Sequence, residues 1–188
     1  MNMLVRPEAP ERVRFTLDDV LRMQAEGMFG DVDVELIEGE IYATPAEGDL
    51  HLELKEILSR KLILGLAPLG DFGVIVDGTL SLAEGVNPSP DFWIYRRDGR
   101  RASEQRGPDV LLLIEIAVSS KAHDLGLKAR VYREHGVREY WVIEPEARVV
   151  HVHRLDGEWP AAPVAFETLL QPAILPRLKI GLSELTGT

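Results

Sequence analysis

The sequence predicts an α/β fold in which a mixed β-sheet is flanked by helices, and three observations lead there. Val110 to Val118 is a nearly unbroken apolar run, as expected of a central strand buried on both faces. A helical stretch from Ser120 to about His135 and a second apolar strand, Glu139 to Ile143, follow it and complete a parallel strand, helix, strand unit. Hairpin-like patterns on either side supply antiparallel strands.

The elements follow in order. Thr16 offers an N-cap oxygen to a short helix, Leu17 to Ala25, which Gly27 stops. Val32, Val34 and Leu36 alternate with Asp33, Glu35 and Ile37, and Glu38-Gly39 turns the chain into Glu40–Ala43, which reads as a half-buried hairpin. From Gly48 to about Leu66 apolar residues recur at helical spacing until Pro68-Leu69-Gly70 ends the helix. Strands are expected at Gly73–Val76, Thr79–Leu82 and Asp91–Tyr95, ahead of the central strand. Gly136 caps the helix that begins at Ser120, and Arg148–Arg154 pairs with Glu139–Ile143. Pro172 and Pro176 leave the tail as a peripheral strand and a final helical turn. No repeat, low-complexity tract or linker divides the chain. A single domain over residues 1–188 is expected, with its core at about 15–185.

With 188 residues and 45% apolar side chains, roughly two-thirds of the unfolded surface can be buried without disulfide or zinc. The absence of cysteine excludes thiol nucleophiles, thiolate metal sites and iron–sulfur clusters, and favours a cytoplasmic setting. The first residues lack the apolar stretch of a secretion signal, and Glu115 interrupts the longest apolar segment far short of the roughly 20 residues a membrane span needs.

The net charge of −10 argues, taken alone, against a polyanionic partner. Its distribution changes that inference. Residues 1–90 carry 7 basic and 17 acidic side chains, whereas Asp91 to Arg138 carry 10 basic and 7 acidic. Within the basic segment, Arg96, Arg97, Arg100, Arg101 and Arg106 crowd one polar stretch that reads as an exposed loop, either a solvated connector or a phosphate-contacting arm.

Glu115 is the residue that stands out. A strand buried on both faces has no place for an unpaired carboxylate, whose burial costs several kcal/mol, so Glu115 requires a partner: a structural salt bridge, a metal, or a catalytic role. Asp91 follows Pro90 at the start of the strand Phe92-Trp93-Ile94-Tyr95. Two acids on neighbouring strands can share a hard divalent cation such as Mg²⁺ or Mn²⁺, and the carbonyl of Ile116 can add an oxygen. The histidines show no His-x-x-x-His zinc spacing, and His151 and His153 alternate along one strand face as surface residues would. Asp124 and Lys128 share one helical face. They form either a surface ion pair or a site in which the Lys128 ammonium orients a water or stabilises a phosphate oxygen, while Tyr132 continues that face as packing.

The order Pro90-Asp91, then Glu115 after an apolar run, then a lysine, resembles the restriction-endonuclease-like nuclease superfamily, whose signature is Pro-Asp, a gap, Asp or Glu, any residue, Lys. More specifically, LLLIEIAVSSKAHDLGLKARVYREHGVREYWVIEP, with ELIEGEI and the His51 helix upstream, resembles the Uma-two family of endonucleases over roughly residues 15 to 185. Two positions depart from pattern. Ala117 stands where the superfamily has its strand lysine, and Val118 where many Uma-two relatives carry a polar residue. The resemblance places the catalytic lysine on the following helix, at Lys128. It implies a restriction-endonuclease-like core, catalysis by Asp91, Glu115 and Lys128, and an upstream acid, for which Glu38 and Glu53 are the candidates, with His51 facing the same cleft.

The function expected is therefore a Mg²⁺-dependent (or Mn²⁺-dependent) endonuclease acting on nucleic acid, foremost DNA. Arg96, Arg97, Arg100 and Arg101 would contact the backbone, and a homodimer or higher homo-oligomer would cut two strands. The alternative is a catalytically silent version of the same fold that serves as a binding module, with Glu115 simply paired to Lys128.

Overall fold

The computed structural model describes residues 12–157, 159 and 162–184. The outer limits of the expected domain, and with them the very end of the tail, lie outside the described residues. Helix α1 (Leu17–Ala25) begins at a reciprocal cap in which Thr16 and Asp19 each bond the other's backbone N–H. Strands β1 (Val34–Ile37) and β2 (Glu40–Ala43) form a separate two-stranded ribbon. Its tight turn needs positive φ at both Glu38 (53°) and Gly39 (76°), the mirror-image geometry that matches strand twist. Helix α2 (Asp49–Leu66) follows.

The main sheet has six strands in sequential order, β3 (Phe72–Val76), β4 (Phe92–Arg96), β5 (Val110–Ile116), β6 (Glu139–Glu144), β7 (Val149–Arg154) and β8 (Val164–Ala165). Only β5 and β6 are parallel; the other neighbours are antiparallel. The sheet is thus mixed, as the sequence predicts, and β5 is buried along its whole length.

Each face of the sheet has its own core. On one, Phe92, Ile94, Leu112, Ile114, Trp141 and Ile143 pack beneath the Leu54, Leu58, Leu62 stripe of α2 and the C-terminal segment. On the other, Trp93, Leu113, Tyr140 and Val142 meet the helix that connects β5 to β6. No helix among the described residues is long and apolar enough to cross a membrane.

Three expectations need correction. Thr79–Leu82 is not a strand, because this segment is tied instead to its own return, Leu80 N–H to Pro88 O and Leu82 N–H to Val86 O. The connecting helix is not continuous: α3 (Lys121–His123) passes into a π-helical turn, Asp124–Lys128, before α4 (Ala129–Glu134). The extra residue per turn is visible in the Ala129 N–H, which bonds the Asp124 carbonyl five residues back. Finally, His153 is not a surface residue. It is 1% exposed, since the helical layer covers β7 as well as β6.

Candidate active site

The site lies at the end of the sheet where β4 begins, β5 ends, and α2 and α3 start. These termini enclose a cleft of about 810 Å³. Asp91 enters it because Pro90 holds the chain extended into β4. One Asp91 oxygen, Oδ2, accepts the Ile116 N–H at 2.6 Å, and the other, Oδ1, meets His51 Nε2 at 2.9 Å. The Glu47 carboxylate, just before α2, stands 3.5 Å from the same His51 nitrogen. One ligand atom from each of Glu47, His51 and Asp91 lies within 4.8 Å of the others, a spacing that can hold a metal ion.

Glu115 is fully engaged. Its Oε1 accepts from Lys128 Nζ at 3.1 Å and from the Tyr132 hydroxyl at 2.9 Å, while Oε2 takes the Asp91 N–H at 3.3 Å. Lys128 also faces Glu35 at 3.2 Å and Asp124 at 3.7 Å. All four side chains are buried. Burial pushes the Glu115 carboxyl well above the usual carboxylate range; Lys128 opposes this, while Asp91, Asp124 and Glu35 add to it. Burial alone would depress Lys128, but three carboxylates hold its ammonium protonated, well above the ordinary lysine value. Glu35 goes the other way: burial raises it, and the His123 hydrogen bond, the Lys128 charge and the Ser89 N–H together bring it below the usual range. For His51, burial works against protonation, and the bond to Asp91 with the Asp91 and Glu47 charges overcomes it, so its pKa is raised.

Of the residues singled out from the sequence, Asp91, Glu115, Lys128, His51 and Asp124 all reach this cleft, and Ile116 presents its backbone there. The Ile116 carbonyl accepts from Val118 N–H at 3.2 Å, which leaves it one lone pair for another partner. Glu38 and Glu53 do not reach the site. Glu38 is locked in the hairpin turn and bonded to Arg130 at 2.7 Å, and Glu53 points to solvent from α2. The upstream acids that line the cleft are instead Asp33, Glu35, Glu47 and Asp77, and of these Glu35 is the buried one, facing Lys128. The sequence carried a signal for it, since Ile37 shares its strand face and an apolar neighbour implies that this face too is covered. Glu47 and, one turn beyond His51, Lys55 are further omissions: Lys55 is buried, and its ammonium bridges Glu47, Asp77 (2.8 Å) and Asp91 (3.8 Å).

The arginines lie elsewhere. Strand β4 runs away from the cleft, so Arg96 ends it roughly 16 Å along the strand from Asp91, with Arg97, Arg100 and Arg101 beyond. Arg100 is held by Asp98 and Asp109, and Arg97 faces Asp71. No arginine lines the cleft among the described residues.

A mixed sheet flanked by helices, with buried acids and a buried lysine gathered at one end, defines the chain as an α/β protein with a charged site at the sheet's end. The family model described as "Uma2: Putative restriction endonuclease" matches residues 17–183, and the chain belongs to that family. Its fold is that of the crystal structure of "a putative nuclease belonging to DUF820" from Anabaena variabilis ATCC 29413, with a TM-score of 0.72 at 18% identity over 91% of this chain and 97% of that one. Among curated proteins, none is significantly similar to the chain.

Proposed function

We propose that the protein is a divalent-metal-dependent endonuclease that hydrolyses phosphodiester bonds in DNA. The observation that carries this reading is the charge of the cleft: seven carboxylates line it, and among the described residues the only lysine on its wall, Lys128, is already held by three of them, while Lys55 on α2 is held by Glu47, Asp77 and Asp91. Four of the seven acids, Glu35, Asp91, Glu115 and Asp124, are buried and three, Asp33, Glu47 and Asp77, are exposed, and a cation that joined them would offset their mutual repulsion.

Asp91 and Glu47 offer carboxylate oxygens and His51 a ring nitrogen, a donor set that suits Mn²⁺ at least as well as Mg²⁺. Glu115 and the Ile116 carbonyl border the same position. A metal held there lowers the pKa of a bound water and offsets phosphate charge. The chain's own groups do the rest. Asp91 Oδ2 is fixed by the Ile116 N–H, which aims Oδ1 at the metal position. Lys128 remains an ammonium at all working pH values, so it cannot accept a proton from water; it pins Glu115 and Glu35 and orients water or phosphate through its charge. Contact with the arginine loop is not part of this reading, because that loop lies at the far end of the sheet. Two such clefts in a homodimer would cut both strands of a duplex.

The test has two arms. Supercoiled plasmid with Mg²⁺ or Mn²⁺ should be nicked by the wild type and not by Asp91→Asn. Calorimetry should find Mn²⁺ binding that His51→Gln weakens at least tenfold. Nicking that survives Asp91→Asn overturns the site, and a wild type that binds neither metal turns the reading to the silent binding module.

A further inference from the structure

A second cavity, of about 490 Å³, opens on the far side of the helix that carries Lys128, between the π-helical turn, α4 and β7. We propose that it binds a nucleotide, the base against Trp159 and His153 and the phosphate at Arg133. This goes beyond the hydrolytic reading and does not rest on the metal site.

The strongest argument is His153. It is 1% exposed, and neither of its ring nitrogens has a hydrogen-bond partner among the described residues. A buried donor or acceptor left unpaired is unfavourable, and each one calls for a partner such as a water, an ion or a ligand group. A neutral imidazole presents one N–H and one lone pair, which complement the mixed donor and acceptor edge of a nucleobase. Trp159 Nε1 is a second orphan beside it.

The surrounding surfaces suit a flat ring. His153 stacks on Tyr140 with centroids 5.3 Å apart and planes at 27°, and Trp159 lies 5.1 Å from His153 and 6.4 Å from Tyr140, so the three rings form one aromatic cluster with the indole as its outer member. The helix wall is bare at Gly126, where a Cβ would meet nothing within 4 Å. Stacking on such a platform holds any base and discriminates weakly among bases. At the rim, Arg130 is committed to Glu38 and Glu134, but Arg133 makes no ion pair among the described residues and only leans over the Trp159 ring at 6.0 Å. Among the described residues of the rim it is the cation free to take a phosphate.

Trp159 closes over His153, so a base reaches the ring nitrogens by displacing the indole. Tryptophan fluorescence reports that step, because Trp93 and Trp141 are fully buried and Trp159 is not. The experiment titrates the full-length protein in EDTA, which leaves the metal cleft out of play, with dAMP in one arm and a twelve-nucleotide single-stranded DNA in the other. A saturable fluorescence change with dAMP identifies a free-nucleotide site; a change with the oligonucleotide alone identifies a seat for one nucleotide of a bound strand. In either case His153→Leu and the surface variant Arg133→Ala should each weaken binding at least fivefold. Arg133→Ala keeps the test sound if His153→Leu fails to fold. The proposal is overturned if neither probe gives a saturable change, or if Arg133→Ala binds as the wild type does.

Discussion

Replacing Lys128 by methionine keeps most of the side-chain volume and removes the ammonium, its charge together with its hydrogen bond to Glu115, which exposes the electrostatic debt of the cleft. In the wild type the ammonium stands 3.1, 3.2 and 3.7 Å from Glu115, Glu35 and Asp124, all of them at most 5% exposed at the side chain. Breaking a buried ion pair by removing one partner costs about 3–5 kcal/mol, because the charge left behind is uncompensated. For a chain of this size that lowers the melting temperature by roughly 6–20 °C. The loss should depend on pH with a definite sign. The Glu115 carboxyl is already raised by burial, and without Lys128 it rises further. A carboxyl whose folded pKa exceeds its unfolded value binds more protons in the folded state, so its stability is present at low pH and is lost as pH rises through the folded pKa. Lys128→Met should therefore be closer to wild type at pH 5.5 than at pH 7.5, and adding Glu115→Gln should recover part of the deficit at pH 7.5. Urea unfolding followed by circular dichroism measures all three. A Lys128→Met protein within 1 kcal/mol of wild type at pH 7.5, or one whose deficit is the same at both pH values, would refute the account of Lys128 as the counter-ion of this cluster.

Two further outcomes follow from the same surroundings. Tyr132→Phe deletes a hydroxyl that donates to Glu115 at 2.9 Å; hydrogen bonds to charged groups contribute about 1.5–3 kcal/mol, so urea unfolding should register a loss in that range with little change in m-value. Burial, with a smaller push from His151, brings His153 down to about 4. A histidine depressed in the folded state costs stability as pH falls from its unfolded value near 6.5 to the folded one, here about 3 kcal/mol between pH 6.5 and 4, and His153→Phe should flatten that part of the stability profile.

Much of this was legible in the sequence because a few residues break strong local rules. Glu115 violates an otherwise apolar strand, and Pro90 forces Asp91 onto the lip of the next one, so both announce themselves without any tertiary information. The strand, helix, strand core was equally plain from its periodicity. Glu35 was hidden by alternation: on a ribbon read as half-buried it falls on the polar face, and only Ile37 beside it betrays that the face is covered. His153 failed for a related reason. Its alternation with Val152 reads as solvent exposure, yet its cross-strand partner Tyr140 sits on a face that the connecting helix buries. Glu47 and Lys55 carried no signal at all, since their convergence with Asp91 exists only once the start of α2 is brought to the end of the sheet.

The partition of charge along the chain also takes on a different meaning in space. The net basic segment after Asp91 suggested that substrate contacts and catalytic residues travel together, but strand direction separates them: β4 leaves the cleft at Asp91 and delivers its arginines to the opposite end of the sheet. Conversely, the acid-rich N-terminal half is no independent repulsive surface. Of the seven carboxylates lining the cleft, Asp33, Glu35, Glu47 and Asp77 come from it, and they complete a site whose remaining acids come from the second half. On the proposed metal-dependent reading, an acidic protein of this kind can still meet a polyanion, because the place where it would do so would gain its positive charge from a bound cation rather than from side chains. Attraction is then local, switched on by the metal, and confined to the phosphate that reaches it.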